Sequence, residues 1–141
     1  MSRSKIILGD GYDRIKDKTI AIVGVGGTGS TVAQLLSRMN PKKLILIDGD
    51  TVEEINLERQ ILYYKEDIGK KKTEAAKERL KDFCAIESRA ERLTESNINF
   101  ENSDLVIDCT DNIETRQLIN NYCHKKKINW IYTGSSDNYY D

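Results

Sequence analysis

Four glycines, a serine and two aspartates raise the first chemical question in this 141-residue chain. Gly24, Gly26 and Gly29 fall in G-x-G-x-x-G spacing, Gly27 adds a fourth glycine, and Ser30 follows. Glycine allows a tight turn, lets backbone approach a phosphate, and lets a helix pack closely on a strand. The pattern alone is weak; here it follows a short apolar run and opens a segment of helical spacing, the context that gives it meaning. A helix beginning there offers unpaired N–H groups and positive partial charge to an anion. Asp48, 24 residues beyond Gly24, closes a second apolar run and is placed to accept hydrogen bonds from ribose hydroxyls. Asp50 belongs to the same acidic turn. The chemistry is nucleotide binding, and the glycines leave open whether the nucleotide carries hydride or donates a group.

Three clusters further along bear on that choice. In "NLERQ", Asn56, Arg59 and Gln60 are nucleotide-binding candidates, and the Arg59 guanidinium suits bidentate contact with a triphosphate, which is more highly charged than a dinucleotide's pyrophosphate. In "GKKKTEAAK", Lys72 falls in the first turn of a helix, against the dipole, so an anion nearby is expected; Lys70 and Lys71 read as ordinary solvated lysines. In "VIDCTDN", Asp108 and Asp111 stand where a strand runs into a turn, as Mg²⁺ binding beside phosphates requires, although Asp111 or Asn112 can equally cap the next helix.

The elements that must position these residues follow from periodicity. Apolar, β-branched runs at 20–23, 44–47, 105–107 and 130–132 read as strands buried on both faces of a parallel sheet, with a weaker strand near 86–92. Val32, Leu35, Leu36 and Met39 mark a helix stopped by Pro41. A second helix spans 70–83 on Ala76, Leu80 and Phe83, and a third runs from about Ile113 to Lys125. Strands alternating with helices predict an α/β, doubly wound, mostly parallel Rossmann-like sheet with helices on both faces, and a ligand at the carboxyl ends of its strands. The segment 49–69 is long for a connection inside a compact domain and is expected to be functional.

Composition narrows the class. A chain of this length can bury about 68–70% of its unfolded surface. With 38% hydrophobic and 32% charged residues it reads as one globular domain. A formal net charge of -1 supplies no field for nucleic acid or an anionic membrane, and the basic run 125–127, like His124, reads as a solvated helix end. With no signal peptide and no apolar run long enough to span a bilayer, a cytoplasmic location is expected. Cys84, Cys109 and Cys123 are odd in number and form no C-x-x-C pair, so neither disulfides nor zinc is expected within this segment.

Together, G-x-G-G-x-G-S, D-G-D-x-V, N-L-x-R-Q, G-x-x-K and D-C-T-D-N, in that order from Thr19 to Gly134, resemble the ThiF/MoeB/HesA family of ubiquitin-activating-enzyme-like adenylyltransferases. The resemblance implies an N-terminal arm at 1–18 and an ATP-binding adenylation domain at 19–141. It implies that Asp48 holds the ribose, that Asn56, Arg59 and Lys72 contact phosphates, that Asp111 binds Mg²⁺, and that Asn112 lies beside the nucleotide. The implied substrate is the C-terminal carboxylate of a small ubiquitin-like or sulfur-carrier protein, adenylated with release of pyrophosphate, and the implied assembly is a homodimer. Two departures stand out. The family's arm often carries an arginine that reaches a partner subunit's ATP site, where this chain has Ser4, with Arg3 one place off. Family members also continue well past this length, so the domain is expected to be truncated at its C-terminal end. None of the three cysteines matches the family's catalytic cysteine, and Cys109 reads as inert packing. Two other readings remain: an NAD-binding oxidoreductase domain, which would lack a Tyr-x-x-x-Lys pair after the glycine turn, and a non-catalytic nucleotide-binding dimerisation fragment.

Overall fold

A computed structural model of the protein describes residues 3–134. After two short helices, α1 (Arg3–Leu8) and α2 (Asp10–Ile15), strand and helix alternate except between β3 and β4: β1 (Thr19–Val23), α3 (Gly27–Ser37), β2 (Lys43–Ile47), α4 (Lys72–Leu80), β3 (Ile86–Arg89), β4 (Leu105–Asp108), α5 (Ile113–Lys126) and β5 (Asn129–Tyr132). The five strands form one parallel sheet in the order β3-β2-β1-β4-β5. The order reverses between β1 and β4, so the carboxyl ends of these two neighbours open the crevice in which such sheets bind ligands.

Alternation along β1 divides the core. Ile20 and Ile22 join Leu44, Leu46, Ala33, Ala75, Ala76 and Leu80 beneath α3 and α4. Ala21 and Val23 join Ile45, Ile47, Val106, Ile119 and Cys123 beneath α5. Each fully buried Val, Ile or Leu contributes about 1.5–3 kcal/mol, so a strand buried on both faces holds the centre of the sheet from either side.

Helix α3 departs from the expected stripe. Gly29, Ser30, Ala33 and Ser37 are its buried residues, whereas Leu35 is 64% exposed. The helix lies so close to the sheet that small residues fill the contact, and the larger Val32 and Leu36 pack along its flank. Strand β5 also differs, being largely exposed rather than buried on both faces. Strand β3 is shorter than expected, ending at Arg89.

The segment between β2 and α4 is ordered by its own caps. It contains two 3-10 turns, Glu54–Glu58 and Lys65–Asp67. The Asn56 side chain accepts the Glu53 N–H, and the Asp67 side chain accepts the Tyr64 N–H. Asp67 is buried and also receives Lys70 Nζ at 2.9 Å and Arg79 Nη2 at 2.9 Å. Burial alone would raise the Asp67 pKa, but the bonds from Arg79, Lys70 and the Tyr64 N–H outweigh it and hold the carboxyl below its usual value. A depressed folded pKa gives stability that is present above the unfolded value, about 3.9, and is lost as pH falls through the folded value. Asp67→Asn is therefore expected to destabilise the domain by about 1–3 kcal/mol at pH 7. The gap to wild type should close as pH is lowered below about 4, as read by urea denaturation at several pH values.

Candidate nucleotide site at the β1–β4 crevice

The glycine turn between β1 and α3 is held by contacts that leave no room for side chains at two positions. Gly24 has φ +83°, and a Cβ there would stand 2.8 Å from the Cys109 carbonyl oxygen after β4. A Cβ at Gly29 would stand 1.8 Å from the Gly24 carbonyl oxygen. Gly27 differs: a Cβ there would meet nothing within 4 Å, so packing does not require glycine at this position.

Between these glycines, Val25 is clamped at both backbone groups. Its N–H donates to Asp48 Oδ2 at 2.7 Å, and its carbonyl accepts the Tyr63 hydroxyl at 2.7 Å. Asp48 Oδ1 takes the Asp50 N–H at 2.8 Å, so one half-buried carboxylate ties the end of β2 to the glycine turn. An ionised carboxylate has about four acceptor sites, which leaves capacity for a ligand hydroxyl. Tyr63 is buried, and its pKa is raised by burial first and by the nearby Asp48 and Asp67 second, so its hydroxyl remains a donor. Sequence reading missed Tyr63, because an aromatic in a loop gives no periodic signal.

The start of α3 is left free to bind. Its N-cap, Gly26, has no side-chain cap, and the N–H groups of Gly27, Thr28 and Gly29 find no acceptor among the described residues. The Ser30 hydroxyl is buried and turns back to the Gly27 carbonyl at 3.3 Å, so it supports the helix start. Gln60 is buried and places Nε2 against Gly26, 3.7 Å from where a Cβ would stand.

Lys72 lies at the first position of α4, 7% exposed. Its N–H donates to the Asp50 carbonyl, but its ammonium makes no hydrogen bond among the described residues; its one charged partner, Asp50 Oδ2, lies 3.7 Å away. Asp50 itself pairs more closely with Arg92, at 2.9 Å. Lys71, expected to be solvated, instead donates to the Gly49 carbonyl at 2.8 Å and stitches the acidic turn to α4. Arg59 is exposed, with Nη1 3.2 Å from Glu58 Oε1 and 3.3 Å from the Ile55 carbonyl. Asn56 is buried as a capping residue.

On the β4 side the two aspartates separate. Asp108 is fully buried and its oxygens are taken up within the protein: Oδ1 accepts the Thr110 N–H and hydroxyl, and Oδ2 accepts Arg116 Nε at 3.2 Å. Its expected metal role is corrected, because Arg116 and Thr110 occupy its oxygens. Arg116 also donates to the Thr110 carbonyl at 2.7 Å and lies 3.8 Å from the centroid of the Tyr132 ring, so it fixes the turn leading to Asp111. Asn112 is the helix cap, accepting the Thr115 N–H at 2.8 Å. That assignment releases Asp111, exposed and without a protein partner among the described residues. No group of three or more His, Cys, Asp or Glu stands ready for a metal among the described residues. A lone carboxylate suits Mg²⁺, which commonly binds one or two carboxylates together with substrate phosphates and water. Cys109 is half-buried, accepts the Thr133 hydroxyl at 3.3 Å, and has its pKa raised, chiefly by burial, consistent with an unreactive thiol. No helix among the described residues is long and apolar enough to cross a membrane.

The two tight glycines and the open one make a direct contrast. Gly29→Ala is expected to destabilise the domain by about 3 kcal/mol or more through backbone overlap. Gly27→Ala should be neutral or stabilising by up to about 1 kcal/mol, since alanine is the better helix former. Thermal unfolding of the two variants separates these outcomes.

Comparison with known proteins agrees with this geometry. The ThiF family profile matches residues 2–139. Ubiquitin-like modifier-activating enzyme 5 from Drosophila persimilis is 39% identical over 145 residues, covering 90% of this chain and 37% of that protein. The Caenorhabditis elegans protein of the same name is 34% identical, covering 90% and 34% respectively. The chain thus spans about a third of the length of these curated relatives. Among solved structures, Escherichia coli TcdA, a tRNA N6-threonylcarbamoyladenosine dehydratase in complex with ATP, aligns with TM-score 0.84 and 26% identity over 98% of this chain and 59% of that one. Escherichia coli MccB with ATP aligns with TM-score 0.79 and 27% identity, over 87% and 39%. A family profile that matches residues 2–139, on a five-stranded parallel sheet shared with these solved structures, places this protein in the ThiF family.

Proposed function

We propose that this domain binds ATP in the β1–β4 crevice and, in the protein to which it belongs, adenylates the C-terminal carboxylate of a small ubiquitin-like or sulfur-carrier protein. The observation that carries the reading is Lys72. A nearly buried ammonium with no hydrogen bond and one carboxylate at 3.7 Å is poorly satisfied by its own protein. Such a group is costly unless an anion completes it. The uncapped start of α3 supplies N–H donors for the same purpose. ATP complexes of TcdA and MccB, together with relatives named ubiquitin-like modifier-activating enzymes, support ATP over NAD.

In this reading a substrate carboxylate oxygen forms a bond to the α-phosphorus, and the bond from that phosphorus to pyrophosphate breaks, the leaving group taking the electron pair. The chain's own residues position and neutralise. Free N–H groups from Gly27 to Gly29 hold phosphate oxygens. Lys72 adds charge from the first turn of α4, and Arg59 adds it by exchanging its contact with Glu58 for phosphate. Asp48 receives the ribose hydroxyls while keeping Val25 in place. Asn56 holds the turn that carries Arg59, and Asn112 holds the start of α5 beside the nucleotide. Asp111 would hold Mg²⁺, which when bound supplies further charge neutralisation at the phosphates. The cytoplasm as the site of action and a homodimer as the assembly complete the proposal. The exposed Ile6, Ile7 and Leu8 of α1 suit burial against a second copy.

ATP with Mg²⁺ is expected to raise the melting temperature by several degrees at saturating concentration, and NAD⁺ is not; at a hundredfold excess over Kd the gain is about 2.7 kcal/mol. Lys72→Met should keep the unliganded stability and lose most of this shift. A larger shift with NAD⁺ than with ATP, or an undiminished shift in Lys72→Met, would refute the site. A longer form of the protein, given its carrier, should exchange labelled pyrophosphate into ATP.

A further inference from the structure

Helix α3 opens with a bond from the Ser30 N–H to the Gly26 carbonyl at 2.9 Å. One step earlier, the helical acceptor for the Gly29 N–H would be the Val25 carbonyl. That bond is absent among the described residues. The Val25 carbonyl instead accepts the Tyr63 hydroxyl at 2.7 Å. Val25 is 0% exposed and Tyr63 4%, so neither group can exchange its partner for water. Peptide planarity carries the effect one atom further. No peptide bond among the described residues is cis, so the Gly26 N–H points opposite to the Val25 carbonyl, away from Tyr63. It too meets no acceptor among the described residues.

Without the Tyr63 hydroxyl, the Val25 carbonyl would be a buried acceptor lacking a donor, a costly state. Turning toward the Gly29 N–H would satisfy it and lengthen α3 by one bond. That turn would consume one open donor and swing the Gly26 N–H with the same peptide plane. Asp48 does not prevent it, because its bond is to the Val25 N–H, which belongs to the preceding peptide unit. We propose that Tyr63 is a positioning residue for the phosphate turn: its hydroxyl holds the Val25 carbonyl out of helix α3 and so keeps the Gly26 and Gly29 N–H groups open to a polyphosphate. The inference rests on the nucleotide reading above and deepens it, since Tyr63 touches no ligand and acts through one peptide plane. The same bond joins the long loop to the turn. The Tyr63 N–H donates to the Gln60 carbonyl, so the stretch that carries Arg59 and the turn are held in one arrangement.

The test uses the whole chain and Tyr63→Phe, which removes the hydroxyl and keeps the ring. Binding is measured well below the melting temperature of both proteins. The affinity of Tyr63→Phe for ATP and for inorganic tripolyphosphate should fall by about tenfold each, a factor equal to ~1.4 kcal/mol. Its affinity for adenosine should be unchanged. In ligand-free protein, the NMR coupling across a hydrogen bond between the Gly29 nitrogen and the Val25 carbonyl carbon should be absent in wild type and present in Tyr63→Phe. A residue that only supports the fold would lower the melting temperature without forming this bond or separating polyphosphate from adenosine. Wild-type affinity for tripolyphosphate in Tyr63→Phe overturns the proposal. An equal loss for adenosine, or no coupling in the variant, does the same. Whether or not the variant folds, a Gly29–Val25 coupling in ligand-free wild type also overturns it. If wild type binds neither ATP nor tripolyphosphate, the nucleotide reading itself fails and this assignment falls with it.

Discussion

Gly29 lies so near the Gly24 carbonyl oxygen that any side chain there would overlap the backbone. That approach brings the start of α3 onto the carboxyl end of β1, and the crevice exists because of it. The same closeness explains why α3 buries Gly29, Ser30, Ala33 and Ser37 instead of a leucine stripe. It also explains why β4 can run alongside: Gly24 packs against the Cys109 carbonyl, so the turn after β4 and the turn after β1 become the two lips of one site. A helix held farther away would still pack, but its free N–H groups would no longer meet the strand ends.

Around that contact, a small number of hydrogen bonds convert a flexible turn into a fixed one. Asp48 and Tyr63 take the two backbone groups of Val25 from opposite sides, one from the end of β2 and one from the long loop. The loop in turn is tied to α4 through Asp67, Arg79 and Lys70. Phosphate turn, acidic turn and loop therefore form one connected unit. Polar groups within it fall into two sets. Asp67 and Asp108 are fully partnered and, with the Asn56 cap, hold the shape. The Lys72 ammonium and the Gln60 Oε1 are buried with little or no partner among the described residues.

Much of this was legible beforehand, for identifiable reasons. The five strands and three main helices announce themselves through apolar runs and helical spacing, because burial on both sheet faces demands such runs. The glycine turn is readable because steric exclusion admits one residue type. Lys72 stood out because a lysine at a helix start opposes the dipole. Other features left no local trace. Asp108 and Asp111 look equivalent in "VIDCTDN", and they differ because Arg116, one turn into α5, folds back onto the first of them. Lys71 looked solvated because its partner, the Gly49 carbonyl, is distant in the chain. Tyr63 gave no signal at all, since its hydroxyl bonds across 38 residues.

The amino-acid sequence by itself determined the doubly wound sheet, the position of the phosphate turn and the family to which the chain belongs, because these depend on periodicity and on residue types excluded by sterics. Tertiary structure alone decided which polar side chains are already satisfied and which are left open, that is, which aspartate is sealed by an arginine, which lysine is stitched to a carbonyl, and which lysine and glutamine remain without partners. The physical reason is that a hydrogen-bond partner distant in sequence becomes a neighbour only when the sheet closes, and a burial cost can be judged only once the surroundings are in place.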